Sequence, residues 1–189
     1  MTLRLTGGKL KGKKIHFSIK GDIRPTSSMI REAIFNRLSH SLIKEVSFNN
    51  LKFVDLFSGS GIMGFEALSR NFGFATFIDK DKNTIDRIKK TLEILGLGHK
   101  ASTQYYDASK LKLSKYTNEV IFLDPPYNSN LYKKTLDALI QNNFLAPNSI
   151  IVIESSSQQQ IKFSQDYSLF DIANYGSKKI TILKYISIL

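Results

Sequence analysis

The strongest chemical signal in this sequence is the tetrapeptide Asp124-Pro125-Pro126-Tyr127, which directly follows the apolar run 120–123. Two successive prolines stiffen the backbone and remove two amide donors, so neighbouring carbonyl groups remain as acceptors. A carboxylate beside such a carbonyl can hold both protons of an aromatic amino group and aim its nitrogen lone pair at an electrophilic methyl group. The ring of Tyr127 can stack on the base, a contact worth about 1 to 3 kcal/mol. We therefore predict that these four residues are catalytic; the alternative is a proline turn with a structural role alone.

A glycine-rich turn earlier in the chain predicts a site for a nucleotide-like cofactor. Asp55 lies near the end of a predicted strand, and Gly59, Gly61 and Gly64 have the spacing G-x-G-x-x-G before a predicted helix. Glycines at such a turn let the backbone approach a ligand closely. The same spacing also occurs where glycines serve packing alone, so this motif needs the support of others.

Three acidic positions further along could contact an adenosine group. Asp79 ends the second predicted strand, roughly 20 residues after the glycine turn, where a carboxylate can accept hydrogen bonds from ribose hydroxyls. Asp81 is close enough to compete for this role. Asp107, which precedes Ala108, ends the third predicted strand, where a side-chain acceptor could meet an adenine amino group.

The elements that must position these residues alternate between strand and helix. Hydrophobic periodicity predicts helices at about 27–42, through 66–68, between Asp79 and a stop at Gly96, and at 132–141. It predicts strands at 51–57, 74–78, 102–106, 119–123, 149–154, 167–175 and 178–186. This alternation favours a parallel sheet with helices on both faces, which binds ligands beyond the carboxyl ends of its strands. We therefore expect the motifs to meet along one edge of the sheet.

The chain is strongly basic, with 27 Lys and Arg against 16 Asp and Glu, a net charge of +11 and a sequence pI of about 9.7. Residues 1–40 hold nine of the basic residues and only two acidic ones. The first twenty residues, with Gly7, Gly8 and Gly12, predict a basic hairpin. A polyanionic partner explains this charge, although an ordinary lysine-rich surface is the alternative.

Several classes of protein are disfavoured by what the sequence lacks. The 189 residues contain no cysteine and three scattered histidines, so we expect neither disulfides nor a metal site. No apolar run approaches the roughly 18 residues of a membrane span, and no secretory signal pattern is present. We expect a soluble, cytoplasmic protein.

These motifs together resemble the RsmD family of methyltransferases in order and spacing, over nearly the whole chain. The tetrapeptide at 124–127 looks like the catalytic motif of amino-group methyltransferases, and 55–64 looks like their cofactor loop. The other segments that carry the resemblance are Thr6-Gly7-Gly8-Lys9 with Gly12, Arg24-Pro25-Thr26 with Arg31-Glu32 and Phe35-Asn36, and Glu66-Ala67-Leu68-Ser69-Arg70.

The resemblance implies an α/β, Rossmann-like class I methyltransferase fold. Its seven-stranded sheet would be mostly parallel with one antiparallel strand and helices on both faces, and residues 1–22 would form a basic β-hairpin before a methyltransferase domain at 23–189. The implied reaction transfers a methyl group from S-adenosylmethionine to N2 of a guanine in small-subunit (16S) ribosomal RNA, of the guanine-966 type. The implied substrate is this RNA within the small ribosomal subunit or its assembly intermediate, and the implied enzyme is a monomer.

The resemblance also implies roles for individual residues. Those implied to hold the cofactor are Asp55, Phe57, Ser58, Gly59, Gly61, Asp79, Lys80, Asp107 and Ala108. Those implied to contact the RNA are Arg4, Lys9, Lys11, Lys13, Arg24, Thr26, Arg31 and Tyr127. Asp79 stands where glutamate is commoner in the family, so the acid implied to bind the ribose is one methylene shorter here.

Three other functions stay open at this point. A DNA adenine or cytosine amino methyltransferase shares the tetrapeptide but usually carries a separate target-recognition region, for which this chain has no room. A nicotinamide-dependent dehydrogenase would explain the glycine spacing and leave 124–127 without a purpose. A non-catalytic RNA-binding protein with a methyltransferase fold would need only the positive charge.

Overall fold

The structure is a computed structural model that describes residues 1–17, 25–39, 47–111, 118–126 and 131–186. Within these ranges the chain forms nine strands and four α-helices. In chain order they are β1 (Thr2–Arg4), β2 (Lys14–His16), α1 (Ser28–Arg37), β3 (Lys52–Leu56), α2 (Ile62–Ser69), β4 (Phe74–Asp79), α3 (Lys82–Ile94), β5 (Ala101–Tyr105), β6 (Asn118–Leu123), α4 (Leu131–Gln141), β7 (Leu145–Ser156), β8 (Tyr167–Tyr175) and β9 (Lys178–Tyr185).

Seven of the strands form one sheet in the order β5-β4-β3-β6-β7-β9-β8. Strands β3 to β7 run parallel to one another, and β9 is antiparallel to both of its neighbours, β7 and β8. The predicted Rossmann-like sheet with one antiparallel strand is therefore confirmed. The chain moves outward from β3 to β5 and then crosses back to β6, so the strand order reverses between β3 and β6, where such sheets bind ligands.

Alternate residues of the central strands supply two separate cores. Phe53 and Phe77 pack under α1, α2 and α3 on one face, whereas Val54 and Ile78 pack under α4 on the other. Because helices cover both faces, the strands need apolar residues on both sides, which explains continuous runs such as 150–153. The predicted helices on both faces are confirmed.

The hairpin β1–β2 stands outside the large sheet but shares its core. Leu5 and Ile15 are buried in the same cluster as α1 and α2. At the hairpin turn the Lys9 amide donates to the Ser69 carbonyl at 2.7 Å, and the Ser69 hydroxyl donates to the Gly7 carbonyl at 2.5 Å. The hairpin is thus docked on the C-terminal end of α2. The predicted boundary at residue 22 lies outside the described residues.

Buried charges on α1 and α2 complete this docking. The Glu66 carboxylate accepts hydrogen bonds from the Thr6 amide at 2.7 Å and from Arg31 Nε at 3.1 Å. The two terminal nitrogens of Arg31 donate to the carbonyls of Arg4 and Thr26, both at 2.7 Å. One arginine therefore joins the hairpin, the start of α1 and the middle of α2.

This arrangement contradicts the predicted RNA contact of Arg31. Its side chain is only 2% exposed, and the guanidinium donors are occupied inside the protein. Sequence position suggested a surface role because basic residues are seldom buried unless they are paired. Here the partner is Glu66, which is 35 residues away along the chain.

Candidate active site

A cleft of about 530 Å³ opens at the carboxyl ends of β3, β4 and β6. Ten of the residues predicted for the site line it. They are Thr26, Asp55, Phe57, Ser58, Gly59, Asp79, Lys80, Asp124, Pro125 and Pro126. The glycine turn and the Asp-Pro-Pro segment, 60 or more positions apart in the chain, therefore form one site, as the strand order requires.

The glycine turn is held by hydrogen bonds to the ends of two strands. The Ser58 hydroxyl donates to the carbonyls of Asp55 at 2.7 Å and Ile78 at 3.1 Å, and it accepts from the Ile78 amide at 2.9 Å. Asp55 is buried and accepts from the Gly64 amide at 3.1 Å. Burial raises the pKa of the Asp55 carboxyl well above its usual value, and the Gly64 amide opposes this rise.

Two glycines in this segment have a visible structural reason. Gly61 caps the start of α2 with a φ of 72°, a left-handed backbone conformation that residues other than glycine adopt at a cost. Gly64 packs against β4, and a Cβ there would lie 2.3 Å from the Phe77 ring. The third glycine of the motif thus serves close helix–strand packing, as it does in dinucleotide sites.

The carboxylate of Asp79 is oriented over the glycine turn. One oxygen accepts from the Gly59 amide and the other from the Asp81 amide, both at 2.8 Å. Asp81 also lines the cleft, but its carboxylate caps α3 by accepting from the Asn83 amide at 2.9 Å. The geometry therefore favours Asp79 over Asp81 as the acceptor for ribose hydroxyls, which stays a prediction.

The Asp124 turn forms the opposite side of the cleft. Asp124, Pro125 and Pro126 follow β6 directly and all line the cavity. Burial raises the pKa of Asp124 to about 6, and the ammonium of Lys178 opposes this rise. The carboxyl is therefore ionised at neutral pH and can accept a hydrogen bond. Tyr127 lies outside the described residues, and so does Arg24.

Other predicted site residues lie away from the cleft lining. Gly61 is one of them. Asp107 accepts from the Ser109 amide at 3.0 Å and hydroxyl at 2.8 Å, and these bonds lower the pKa of its carboxyl. Ala108 is buried in the α4 core. Both follow β5 at the same sheet edge, where the Tyr106 amide donates to the Asp79 carbonyl at 2.9 Å, and the contact with adenine stays a prediction.

The predicted basic residues of the hairpin are exposed. Arg4, Lys9, Lys11 and Lys13 all reach solvent. The Arg4 guanidinium donates a hydrogen bond to the Gly12 carbonyl at 3.3 Å. The described part of the chain holds no group of His, Cys, Asp and Glu suited to a metal ion. Within the same residues, every helix is too short or too polar to cross a membrane.

Sequence reasoning missed two residues behind the Asp124 turn, Glu154 and Lys178. Glu154 ends the apolar part of β7 and is fully buried. It accepts hydrogen bonds from the Thr26 hydroxyl at 2.8 Å and from the Lys178 ammonium. Burial and the Asp124 charge raise the pKa of Glu154 to about 8, while the Thr26 bond opposes the rise. An acid that ends the buried run 150–153 was the available signal, because the ends of parallel strands meet at one edge.

Comparison with known proteins agrees with this geometry. A family model described as Conserved hypothetical protein 95 matches residues 3–184. The chain belongs to this family. A curated relative from Buchnera aphidicola, Ribosomal RNA small subunit methyltransferase D, is 33% identical over 94% of this chain and 87% of its own length. The resemblance to RsmD is thereby confirmed.

Solved structures show the same fold. The yhhF structure from Escherichia coli aligns with a TM-score of 0.83 and 27% identity, covering 99% of both chains. An RNA methyltransferase from Salinibacter ruber, in complex with S-adenosyl-L-homocysteine, aligns with a TM-score of 0.66 over 88% of this chain and 96% of its own. At 14% identity this second likeness concerns the fold alone.

Proposed function

We propose that this protein transfers a methyl group from S-adenosylmethionine to N2 of a guanine in small-subunit (16S) ribosomal RNA, of the guanine-966 type. The observation that carries the proposal is the single cleft shared by the glycine turn, Asp79 and the Asp124 turn. The name of the Buchnera relative, which covers nearly the whole chain, supports ribosomal RNA as the substrate. Such a substrate would place the enzyme in the cytoplasm, where it would act on the small subunit or its assembly intermediate. We propose that it acts as a monomer.

The residues of the cleft fit the cofactor. Its volume of about 530 Å³ lies within the range of small-molecule sites, roughly 300 to 1,000 Å³. Asp79 can accept the ribose hydroxyls, Gly59 lines the cleft without a side chain, and Asp107 and Ala108 stand at the edge where the adenine would lie. S-adenosylmethionine supplies an electrophilic methyl group when it is bound, and the Salinibacter structure of the same fold holds the corresponding product.

The Asp124 turn would prepare the substrate amine. An aryl amine donates its lone pair to the ring, so it is a weak nucleophile until both protons are held. The carboxylate of Asp124 accepts a hydrogen bond from one N–H of the amine, and a carbonyl at Pro125 or Pro126 can accept a hydrogen bond from the other, since neither proline can donate from its own nitrogen. The nitrogen is then fixed toward the cofactor side of the cleft. After transfer the nitrogen carries an extra proton, and the Asp124 carboxylate is placed to take it.

The hairpin would bind the RNA. Its cations Lys9, Lys11 and Lys13 are exposed while its turn is fixed to α2, so they form a rigid basic surface. Lysines on such a surface contact phosphates and fix the register of the RNA without reading its sequence.

Transfer of labelled methyl groups tests the proposal. We expect purified protein to label small ribosomal subunits prepared without the modification, and mass spectrometry to find the label on one guanine N2. Asp124→Ala should abolish transfer and leave RNA affinity nearly unchanged, whereas Asp86→Ala on the exposed side of α3 should keep normal activity. Labelling of duplex DNA in preference to RNA would favour a DNA amino methyltransferase, and full activity of Asp124→Ala would refute the mechanism.

A further inference from the structure

A buried glutamate connects two walls of the cleft behind the Asp124 turn. Glu154 lies at the carboxyl end of β7, beside β6, with its side chain fully buried. One carboxylate oxygen accepts a hydrogen bond of 2.8 Å from the hydroxyl of Thr26, which lines the cleft. The other accepts from the ammonium of Lys178 at the start of β9. One carboxylate thus fixes the segment before α1 and the first residue of β9.

The backbone of Glu154 adds a third connection. Its carbonyl oxygen accepts a hydrogen bond of 3.3 Å from the hydroxyl of Tyr132, in the first turn of α4. Burial and the charges of Asp124 and Glu154 raise the pKa of Tyr132, so this hydroxyl stays a neutral donor. Elements on both sides of the Asp124 turn therefore meet at residue 154.

Among the described residues, four ionisable side chains interact with Asp124 from the elements packed around it. They are Asp55 on β3, Tyr132 on α4, Glu154 on β7 and Lys178 on β9. Three of them are acids, and two carboxylates close together in a buried site resist ionising at the same time. The Lys178 ammonium is the one positive charge in this set, and Glu154 is the residue that holds it there.

We infer that Glu154 and Lys178 are positioning residues of the methyl-transfer site. Glu154 holds the Lys178 ammonium and the Thr26 hydroxyl behind the Asp124 turn, and the ammonium favours the carboxylate form of Asp124 that accepts protons from the substrate amine. Neither residue lines the cleft, so both act through Asp124. The inference rests on the proposed function, because it concerns the same site.

This arrangement predicts how the site takes up protons. Interacting carboxyls lose their protons in two steps that belong to the pair. Burial and the neighbouring carboxyl raise the pKa of Glu154, and burial raises that of Asp124, so both steps lie above the usual carboxyl range. Removing the ammonium must move these steps to higher pH. Replacing Glu154 by its amide removes one of the carboxyls that compete with Asp124 for ionisation, while Asp55 remains.

The pH dependence of kcat/KM for methyl transfer to small subunits tests the inference. We expect Lys178→Met to move the acidic limb of the profile upward by about one pH unit or more, with about half the wild-type activity or less at pH 7 and recovery at higher pH. Glu154→Gln removes a competing carboxyl together with the partner of Lys178, so its limb should lie below that of Lys178→Met. Lys179→Met, the matched control on the same strand, should keep the wild-type profile, because its ammonium donates to the Gln159 carbonyl instead.

A merely structural role would lower the rate by one factor at every pH. Identical profiles in wild type, Lys178→Met and Glu154→Gln would therefore overturn the inference. A titration of ¹³C-labelled Asp and Glu carboxyls by NMR gives a readout without turnover: the carboxyls of Asp124 and Glu154 should titrate above the usual range in the wild type, as should that of Asp55, and Asp124 should titrate higher still in Lys178→Met. If Lys178→Met leaves the titration of Asp124 unchanged, the inference is wrong.

These readouts separate the two proposals. Wild-type protein that transfers no methyl group would end the proposed function, while the NMR titration would still decide the charge arrangement. An active wild type with unshifted profiles would end only the positioning roles. If Glu154→Gln does not fold, Lys178→Met and the titration decide alone, since the Lys178 side chain is partly exposed and its removal leaves the core intact.

Discussion

At the end of β4, Asp79 and Asp81 are two positions apart but accept hydrogen bonds from different parts of the protein. The Asp79 carboxylate joins the Gly59 amide to the Asp81 amide, so it orders the turn that faces the cofactor side of the cleft. The Asp81 carboxylate caps α3. A capping role survives replacement by asparagine, whereas a ribose contact and two amide contacts together need both carboxylate oxygens.

Replacement of Asp79 by asparagine should weaken cofactor binding. We expect Asp79→Asn to reduce affinity for S-adenosylhomocysteine by about tenfold to a hundredfold, because hydrogen bonds to a charged group contribute roughly 1.5 to 3 kcal/mol. Isothermal titration calorimetry measures the change. Asp81→Asn, which keeps a good cap, is the control. Equal weakening by both variants would contradict the assignment of the ribose contact to Asp79.

Residues whose roles depend on local sequence were predictable, and those that depend on distant partners were not. Asp124 and Asp79 could be found because each follows an apolar strand whose end the fold places at the cleft. Glu154 bonds to Thr26 across 128 positions, and Arg31 to Glu66 across 35. No periodicity in one chain reveals such pairs, so nothing in the sequence opposed the RNA contact that the resemblance implied for Arg31.

Helix α2 links the cofactor side of the protein to its basic hairpin. It begins at the glycine turn of the cleft and ends at Ser69, whose carbonyl and hydroxyl bind the hairpin turn. With eight residues it spans only about 12 Å. The distance between the cleft and the hairpin is therefore set by a single short helix.

The hairpin turn offers a direct test of this link. Gly8 has a φ of 75°, and a Cβ there would lie 1.9 Å from the Ser69 carbonyl oxygen. Gly12 has a φ of 83° but open space around it. Both alanine variants carry the left-handed penalty of about 1 to 2 kcal/mol, and only Gly8→Ala also displaces the hairpin.

We therefore expect Gly8→Ala to lower RNA affinity at least several-fold in a filter-binding assay, while Gly12→Ala lowers thermal stability alone. S-adenosylhomocysteine affinity should stay normal in both variants. Normal RNA binding by Gly8→Ala would show that hairpin docking does not position the RNA contacts.

The buried charges between α1 and α2 should matter for stability. Glu66→Gln leaves the guanidinium of Arg31 without its carboxylate partner, and breaking one side of a buried pair costs about 3 to 5 kcal/mol. Urea unfolding followed by circular dichroism measures the loss. Glu93→Gln, on the exposed side of α3, should change the free energy of unfolding by less than about 0.5 kcal/mol. A small change in the free energy of unfolding in Glu66→Gln would contradict this prediction and would mean that the Arg31–Glu66 ion pair contributes little to stability.

Element types were predictable because their periodicity is strong, but element docking was not. Strands β3 to β6 lie within two residues of their predicted ranges, while β7 extends from Leu145 to Ser156 and is longer than the predicted 149–154. The helix predicted at 27–42 is described as α1, Ser28–Arg37, and residues 40–42 lie outside the described residues. The hairpin reads as an independent arm in sequence, since only the tertiary structure reveals its contacts with Ser69 and Glu66.

The whole molecule combines a net charge of +11 with an exposed basic hairpin fixed to the catalytic core. Cations that neutralise phosphates release counterions, so the affinity for RNA should fall steeply as salt rises. Net charge determines such association but not the fold, which the alternation of strands and helices indicates.

Replacement of three hairpin lysines should reduce the salt dependence of binding. We expect the variant Lys9→Gln, Lys11→Gln, Lys13→Gln to lower the slope of log K against log salt by about two to three. The matched control replaces three exposed lysines of α3, Lys82, Lys89 and Lys90. Fluorescence anisotropy at several salt concentrations measures both slopes. Equal reductions in the two variants would indicate diffuse attraction without a defined hairpin contact.

The docking of the hairpin on α2 also bears on biosynthesis. Residues 5 and 15 leave the ribosome well before residues 66 to 70, on which the hairpin is seated. At 5 to 20 residues per second this interval is about 3 to 10 s, and throughout it Leu5 and Ile15 lack their native cover. The nascent chain thus presents apolar and positively charged side chains together, next to the ribosomal RNA that lines the exit tunnel.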